Sequence, residues 1–401
     1  MSKEKLVITL LCINVFLLSA SSTLVLPFLP LYLQELNTDN SALNFYTALA
    51  YSSTYAVSIV ISPLWGHFAD KYGKKLMLTF VFILLALSYL FAYLSTNAIQ
   101  LCLSRAFQGL ACGIIPAFLS LVSCIAKEQK AGIYMGYMQS GILLGTLTGP
   151  MLGGVISQFL GVKECFFIII FVSLFILLTD IIFIKERNQD QDCKCKQYLK
   201  ENNLHQFEGF IKLIKDPIMR SLCMCVFIHS MVIMLIVPVL ANVVENMSKN
   251  DFSVALSGVI FSLSGFAGAI ISPFWGKFGT VHGFLKVLCI GSFGAAVSDL
   301  IQSFNYHLLT FAIMQFVFGL FICTISPSAN SITAKHVEKT YHARAYSLIF
   351  SSQQSGNLLG PIVASTLLTF LGERTPFLCA AGLLFILSIY LYIINVIRHA
   401  K

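Results

Sequence analysis

Apolar residues recur along the chain in twelve runs, each near the length of about 20 residues that crosses a bilayer as a helix. They fall at 6–34, 44–66, 76–95, 98–126, 132–160, 164–184, 217–244, 253–275, 284–303, 307–334, 342–371 and 375–396. Only one interruption is long. Residues 185–216 are rich in Lys, Asp, Glu, Asn and Gln, a composition that cannot bury a core of its own. Its second part, Phe207 to Lys215, is amphipathic and reads as an interfacial helix. The pattern predicts an all-α integral membrane protein of twelve transmembrane helices in two six-helix bundles. These are an N-terminal bundle at 1–184 and a C-terminal bundle at 217–401, joined by a cytoplasmic linker at 185–216.

The two bundles echo one another. Ile61-Ser62-Pro63-Leu64-Trp65-Gly66-His67-Phe68 returns 210 residues later as Ile271-Ser272-Pro273-Phe274-Trp275-Gly276-Lys277-Phe278, with Gly73 and Gly283 at the same offset behind each copy. Gly109 answers to Gly319, Gly145 to Gly356, and Gly149-Pro150 to Gly360-Pro361. Separate landmarks in one register mark a duplication, and duplicated helix bundles place their substrate site at the seam between repeats.

Charge sets the orientation. With the amino terminus in the cytoplasm, 22 of the 26 Lys and Arg lie on cytoplasmic segments, and Lys163, Lys249 and Arg374 lie outside. Arg105 alone falls within a span. This is the positive-inside asymmetry, so the net charge of +8 reflects topology. The basic residues form no stripe, which argues against a nucleic-acid partner. Charged residues make up only 11% of the chain, against about 25% in soluble domains. The first run is too long for a signal peptide and reads as a retained helix. The twelve cysteines avoid the external loops and imply free thiols. Cys193, Cys195 and His205 fit no zinc spacing, so neither metal nor cofactor is expected.

Three motifs carry chemistry. Between spans two and three, Gly66, Asp70, Gly73, Lys74 and Lys75 combine turn-forming glycines, an acid suited to a helix amino terminus, and lysines that can pair with acids such as Glu128. In span five, Gly145, Gly149, Pro150, Gly153 and Gly154 permit close helix packing and a bend. In span four, Leu103-Ser104-Arg105-Ala106-Phe107-Gln108-Gly109 buries an arginine, which costs at least about 2.5–3.5 kcal/mol on insertion scales. It must therefore face a cavity or a partner.

Together these resemble the major facilitator superfamily, specifically its twelve-span drug:proton antiporter branch. The resemblance also takes in Leu26-Pro27-Phe28-Leu29-Pro30 at the end of span one and covers nearly the whole chain. It implies the major facilitator fold, a conformational latch at Gly66 to Lys75, and a leak-resistant bendable helix at Gly145 to Gly154. It also implies a proton-linked role for Arg105; a structural arginine bonded to neighbouring helices is the alternative. The second latch copy carries Thr280 where the acid would stand and is expected to be weaker.

Many relatives in this branch carry an acid within span one. Here that span has Asn14, with Glu35 only at its external end. The remaining coupling candidates are Asp180 in span six, Asp299 in span nine and His229 in span seven, whose imidazole type changes charge near neutral pH. The resemblance assigns the cavity mainly to spans one, four, seven and ten, with help from five, eight and eleven. Asn14, Phe16, Gln139, Met234, Gln315, Gln354 and Asn357 are candidates to line it, with helix packing as the plain alternative.

The leading expectation is proton-coupled export of small amphipathic compounds by alternating access, from a cell (inner) membrane with both termini cytoplasmic. The partners implied are a small-molecule substrate, protons and lipid, and the chain is read as a monomer. A dedicated transporter of one solute, such as a siderophore or metabolite in either direction, is the second expectation, because span one lacks the acid. A sensor that reuses the fold would need an appended domain. An enzyme is not expected, since neither a nucleotide loop nor a nucleophile elbow is found.

Overall fold

The computed structural model describes residues 3–36, 40–72, 74–111, 128–183, 213–248, 252–305, 307–337 and 342–399, and every regular element among them is a helix. Run one is divided into α1 (Lys3–Leu24), a 3₁₀ turn (Leu26–Phe28) and α2 (Leu29–Glu35). Pro27 and Pro30 lack the amide proton that would continue the ladder, and the Leu26 carbonyl, without an α-helical donor at Pro30, accepts from the Leu29 amide and from the Tyr51 hydroxyl of α3 (Asn40–Tyr72). Such replacement partners are what make a broken helix tolerable in lipid. Then follow α4 (Lys74–Tyr93), α5 (Ala98–Gly109), α6 (Glu128–Leu160) and α7 (Val162–Phe183).

The second half repeats this order with α8 (Pro217–Ser248), α9 (Ser253–His282), α10 (Phe284–Phe304), α11 (Leu308–Ile322), α12 (Ile325–His336), α13 (His342–Leu371) and α14 (Thr375–His399). Run ten, expected as one helix, breaks at Cys323–Thr324 between α11 and α12. Among the described residues nine segments are long and apolar enough to cross a membrane. α3 and α13 do not qualify, because they carry polar side chains such as Asn44, Ser52, Thr54, Gln354 and Asn357; α5 is described only as far as Gly109.

Lipid contact explains the apolar outer faces. On α4 the residues Phe80, Ile83, Leu87 and Leu90 recur at helical spacing and are exposed, while Leu78, Val81, Phe82, Leu85 and Tyr89 are buried on the other side. α7 shows the same division, with Phe171, Leu174 and Leu178 outward and Phe166, Ile169 and Ile176 inward. α8 lies deepest, its buried face running from Met219 to Val244.

The repeat governs packing. α1 lies on α6 as α8 lies on α13, α4 on α7 as α10 on α14, and α3 on α5 as α9 on α11. Gly141, Gly145, Gly149 and Gly153 of α6 meet the backbone of Cys12, Phe16, Ala20 and Leu24, one contact per turn on two parallel helices. Gly356 and Gly360 of α13 meet Phe227 and Met231 of α8 in the same way. The Trp65 indole donates to the Leu110 carbonyl at 2.7 Å, and Trp275, its repeat mate, donates to Leu320 at 2.8 Å. Each ties the second span of its half to the fourth, α3 to the end of α5 and α9 to α11. Left-handed glycines at Gly161 (φ 97°) and Gly372 (φ 93°) end helices at matching places in the two halves.

Candidate functional site

The two halves touch through α6 on α9 and α3 on α13. On the first contact Gly154 approaches the carbonyl oxygens of Val254 and Ala255 so closely that a Cβ there would stand 3.1 Å from both. Gly258 faces it from α9, and the Ala255 amide donates to Gln158 Oε1 at 3.3 Å. The motif glycines therefore serve two faces. Gly145, Gly149 and Gly153 seat α6 on α1, and Gly154 seats it on the other half.

On the second contact Ser52 Oγ donates to the Leu358 carbonyl at 2.8 Å, and Gln354 Nε2 to Ser58 Oγ at 2.9 Å. Asn357 Nδ2 in turn donates to Gln354 Oε1 at 3.2 Å. Tyr55 reaches α8 through its hydroxyl, 3.6 Å from Met234 Sδ, and Asn44 Nδ2 lies 3.3 Å from Thr369 Oγ1. The cross-seam hydrogen bonds and close glycine approaches among the described residues run from the end near Glu35, Gly161 and Gly372 to about the middle of α3 and α13, where Gln354 meets Ser58.

Arg105 borders this polar stretch. It is 4% exposed, donates from Nη1 to Gln108 Oε1 at 2.6 Å, and keeps Nε without a partner. Gln108 Nε2 donates onward to the Tyr89 hydroxyl at 2.7 Å, and Thr54 Oγ1 donates to the Arg105 carbonyl at 2.9 Å. Tyr51 and Tyr55 stand within electrostatic range of the guanidinium. Its charge is thus spread over neutral hydroxyl and amide oxygens, and it forms no ion pair with any described carboxylate. Phenol and amide dipoles are what lets such a cation persist away from water.

The other candidates are dispersed. Met234, Gln354 and Asn357 come together at the seam as above. Asn14 points elsewhere: its Nδ2 donates to Asp180 Oδ1 at 2.8 Å and Thr179 Oγ1 at 3.0 Å, which joins α1 to α7. Asp180 is 4% exposed and leaves Oδ2 unpartnered. Gln315 is buried against α10, accepting from Gln302 Nε2 at 3.0 Å. Asp299 is fully buried on α10 and His229 is 8% exposed on α8 with Nδ1 unpartnered. Phe16 is half-buried on α1, and Glu35 is exposed at the end of α2. Lys75 donates to the Ile181 carbonyl at 3.0 Å, within electrostatic range of Asp180.

Gly73, and likewise Cys193, Cys195, His205 and most of the amphipathic stretch, lie outside the described residues. Gly66, Asp70 and Lys74 are described only as backbone positions on α3 and α4, and Gln139 only as one on α6. No cluster of metal-ligating side chains occurs among the described residues. Sequence reasoning missed Tyr55, Ser58, Tyr89 and Gln108. Their signal was present, since polar groups at helical spacing on spans two to four share one face with Arg105.

Comparison with known proteins accords with this architecture. A profile of the Major Facilitator Superfamily matches residues 11–196 and 222–400. Multidrug resistance protein MdtG of Enterobacter lignolyticus is 29% identical over 385 residues, covering 96% of this chain and 90% of its own. That of Escherichia coli O17:K52:H18 is 29% identical over 377 residues, covering 94% and 91%. Among solved structures, the nucleoside transporter NupG superposes with a TM-score of 0.77 at 15% identity, covering 98% of each chain. The human organic anion transporter MFSD10 gives 0.70 at 16% identity, covering 98% of this chain and 100% of its own. The profile spans both halves on either side of the polar linker, and the fold is shared from end to end, so this protein belongs to the major facilitator superfamily of membrane transporters.

Proposed function

We propose that the protein is a secondary active transporter that exports small amphipathic compounds in exchange for protons, by alternating access at the seam between its halves. The observation that carries this reading is the seam itself. From the end near Glu35 to the middle of α3 and α13 its halves are joined by single hydrogen bonds and glycine contacts, all of which can be broken and re-made without unfolding a helix. With the amino terminus in the cytoplasm of a bacterial inner-membrane protein, the end near Glu35 is external, and a conformation closed there is the inward-facing one. Residues 1–184 and 217–401 act as the two rocking bundles, with 185–216 as linker and Gly66 to Lys75 as the latch of the opposite state. The names of the MdtG relatives support multidrug cargo. Tyr55, Met234, Gln354 and Asn357 offer that cargo an aromatic, a polarizable thioether and amides, a mixture suited to varied amphipathic shapes.

A second reading, a dedicated carrier of a neutral or anionic solute, draws on one observation. Among the described residues the seam bonds involve Ser, Thr, Tyr, Asn, Gln and Met but no carboxylate. Ethidium accumulation in efflux-deficient cells separates the two. Wild type should accumulate less dye than Arg105→Ala, and a protonophore should remove the difference. Equal accumulation by both proteins at matched membrane abundance would overturn multidrug export and favour the dedicated carrier.

A further inference from the structure

The seam is not the only buried polar group of consequence. On α10, Asp299 is 0% exposed and neither carboxyl oxygen has a hydrogen-bond partner. Gln302, one turn further on the same face, is also 0% exposed. Its Nε2 donates to Gln315 Oε1 at 3.0 Å, but its own Oε1 has no partner. Three buried acceptor oxygens therefore stand together on one helix face with no donor among the described residues. An unpaired carboxylate in that position would carry a desolvation penalty of several kcal/mol, which one added proton removes. Protonated, Asp299 can donate to Gln302 Oε1, and the chain Asp299–Gln302–Gln315 becomes continuous.

Among the described residues the surrounding charges offer no alternative counter-ion. α9, α11, α12 and α14 pack against α10. α11 carries no ionisable group. Lys277 and His282 on α9 and Lys335 and His336 on α12 lie toward the opposite end of the bundle, as does Lys286 on α10 itself. The pairs Phe293–Phe385 and Ser388–Cys289 set α14 antiparallel to α10, which brings Cys379 level with Asp299. Tyr390 and Tyr392 lie further along α14. Arg374 bonds to the backbone carbonyls of Gln302 and Asn305, at the helix end.

The repeat sharpens the point. In the 210-residue register Asp299 takes the place of Tyr89 and Gln315 the place of Arg105. The first half thus holds a cluster with a spare donor, Arg105 Nε, and the second half a cluster with spare acceptors.

We infer that Asp299, Gln302 and Gln315 form a proton-binding site in the second half, apart from the seam, whose proton is given up as the transporter cycles. This rests on the proton-exchange reading above and names where that proton is held. On release, the Asp299 O–H bond breaks, the proton passes to a water admitted beside it, and a carboxylate is left.

Infrared difference spectroscopy on the purified protein in lipid nanodiscs tests occupancy directly. Wild type should show the carbonyl stretch of a buried protonated carboxylic acid; Asp299→Asn should lose it, and Asp180→Asn should keep the Asp299 component. The asparagine can donate to Gln302 in place of the proton, so this variant should fold. Proton release on adding ethidium, read with an indicator dye in weak buffer, should fall by about one per protein in Asp299→Asn. An acid band absent from wild type, or unchanged in Asp299→Asn, would overturn the site. Loss of the band with unaltered proton release would overturn its exchange during transport. If wild type does not bind ethidium, the export reading fails while the infrared result still decides whether Asp299 holds the proton.

Discussion

Replacing Gly360 by alanine tests whether close backbone contact between α13 and α8 holds the second half together. A Cβ at Gly360 would stand 2.7 Å from the Met231 carbonyl oxygen, 2.7 Å from Met234 Cβ and 3.0 Å from the Met234 carbonyl carbon. Two of these three atoms are backbone, so no rotamer change can clear them, and α13 must shift outward. Overpacking of this kind costs about 1–3 kcal/mol, which is roughly a 5- to 150-fold change in the folded-to-unfolded ratio at about 1.4 kcal/mol per decade. Gly382 of α14 supplies the control, because a Cβ there meets nothing within 4 Å. Alanine at Gly382 should gain up to about 1 kcal/mol of helix propensity. Both variants would be melted in detergent and followed by fluorescence-detected size exclusion, with wild type alongside. Gly360→Ala should melt well below wild type and Gly382→Ala at or above it. If Gly360→Ala melts like wild type, the close approach is not a packing constraint and the reasoning from glycine spacing fails. Because Met234 also receives the Tyr55 hydroxyl, the same shift should weaken ethidium export more than stability alone explains.

Further expectations follow from the same geometry. Cysteines at Asn44 and Thr369, whose side chains meet across the seam, should cross-link on oxidation and stop transport until reduced; transport that continues in the cross-linked protein would refute the rocking motion. Trp65→Phe and Trp275→Phe should each lose about 0.5–1.5 kcal/mol, by equal amounts within error and additively when combined, as double-mutant melting would show. In a background without other cysteines, Gly372→Cys should react with an impermeant maleimide on intact cells and Thr280→Cys only after permeabilisation. The reverse pattern would invert the orientation.

What the sequence determined by itself was whatever depends on local period and composition. Twenty-residue apolar runs, the basic asymmetry of the loops and the 210-residue echo are properties of consecutive residues. They settled an all-helical membrane protein built by duplication before any contact was known. Glycine spacing in span five was legible in the same way, since residues four apart on a helix share one face. It did not say which helix each glycine faces: α1 for Gly145, Gly149 and Gly153, and α9 of the other half for Gly154. The breaks in runs one and ten were also hidden; at the first, Pro30 leaves the Leu26 carbonyl without its α-helical donor, and the distant Tyr51 that receives it is not legible in the sequence.

Site residues fared unevenly for one physical reason. A polar side chain in a membrane must find a partner, and the sequence does not reveal whether that partner lies across the seam or behind it. Gln354 and Asn357 turn to the seam, where Ser58 belongs to the other half. Asn14 turns to Asp180, and Gln315 turns to Gln302 behind it. Arg105 was visible as a buried charge, but its neutral surroundings of Gln108 and tyrosines were decided only when α3, α4 and α5 packed. Helix rotation, set by which apolar face meets lipid and which meets another helix, is the quantity that tertiary structure supplied and the linear pattern could not.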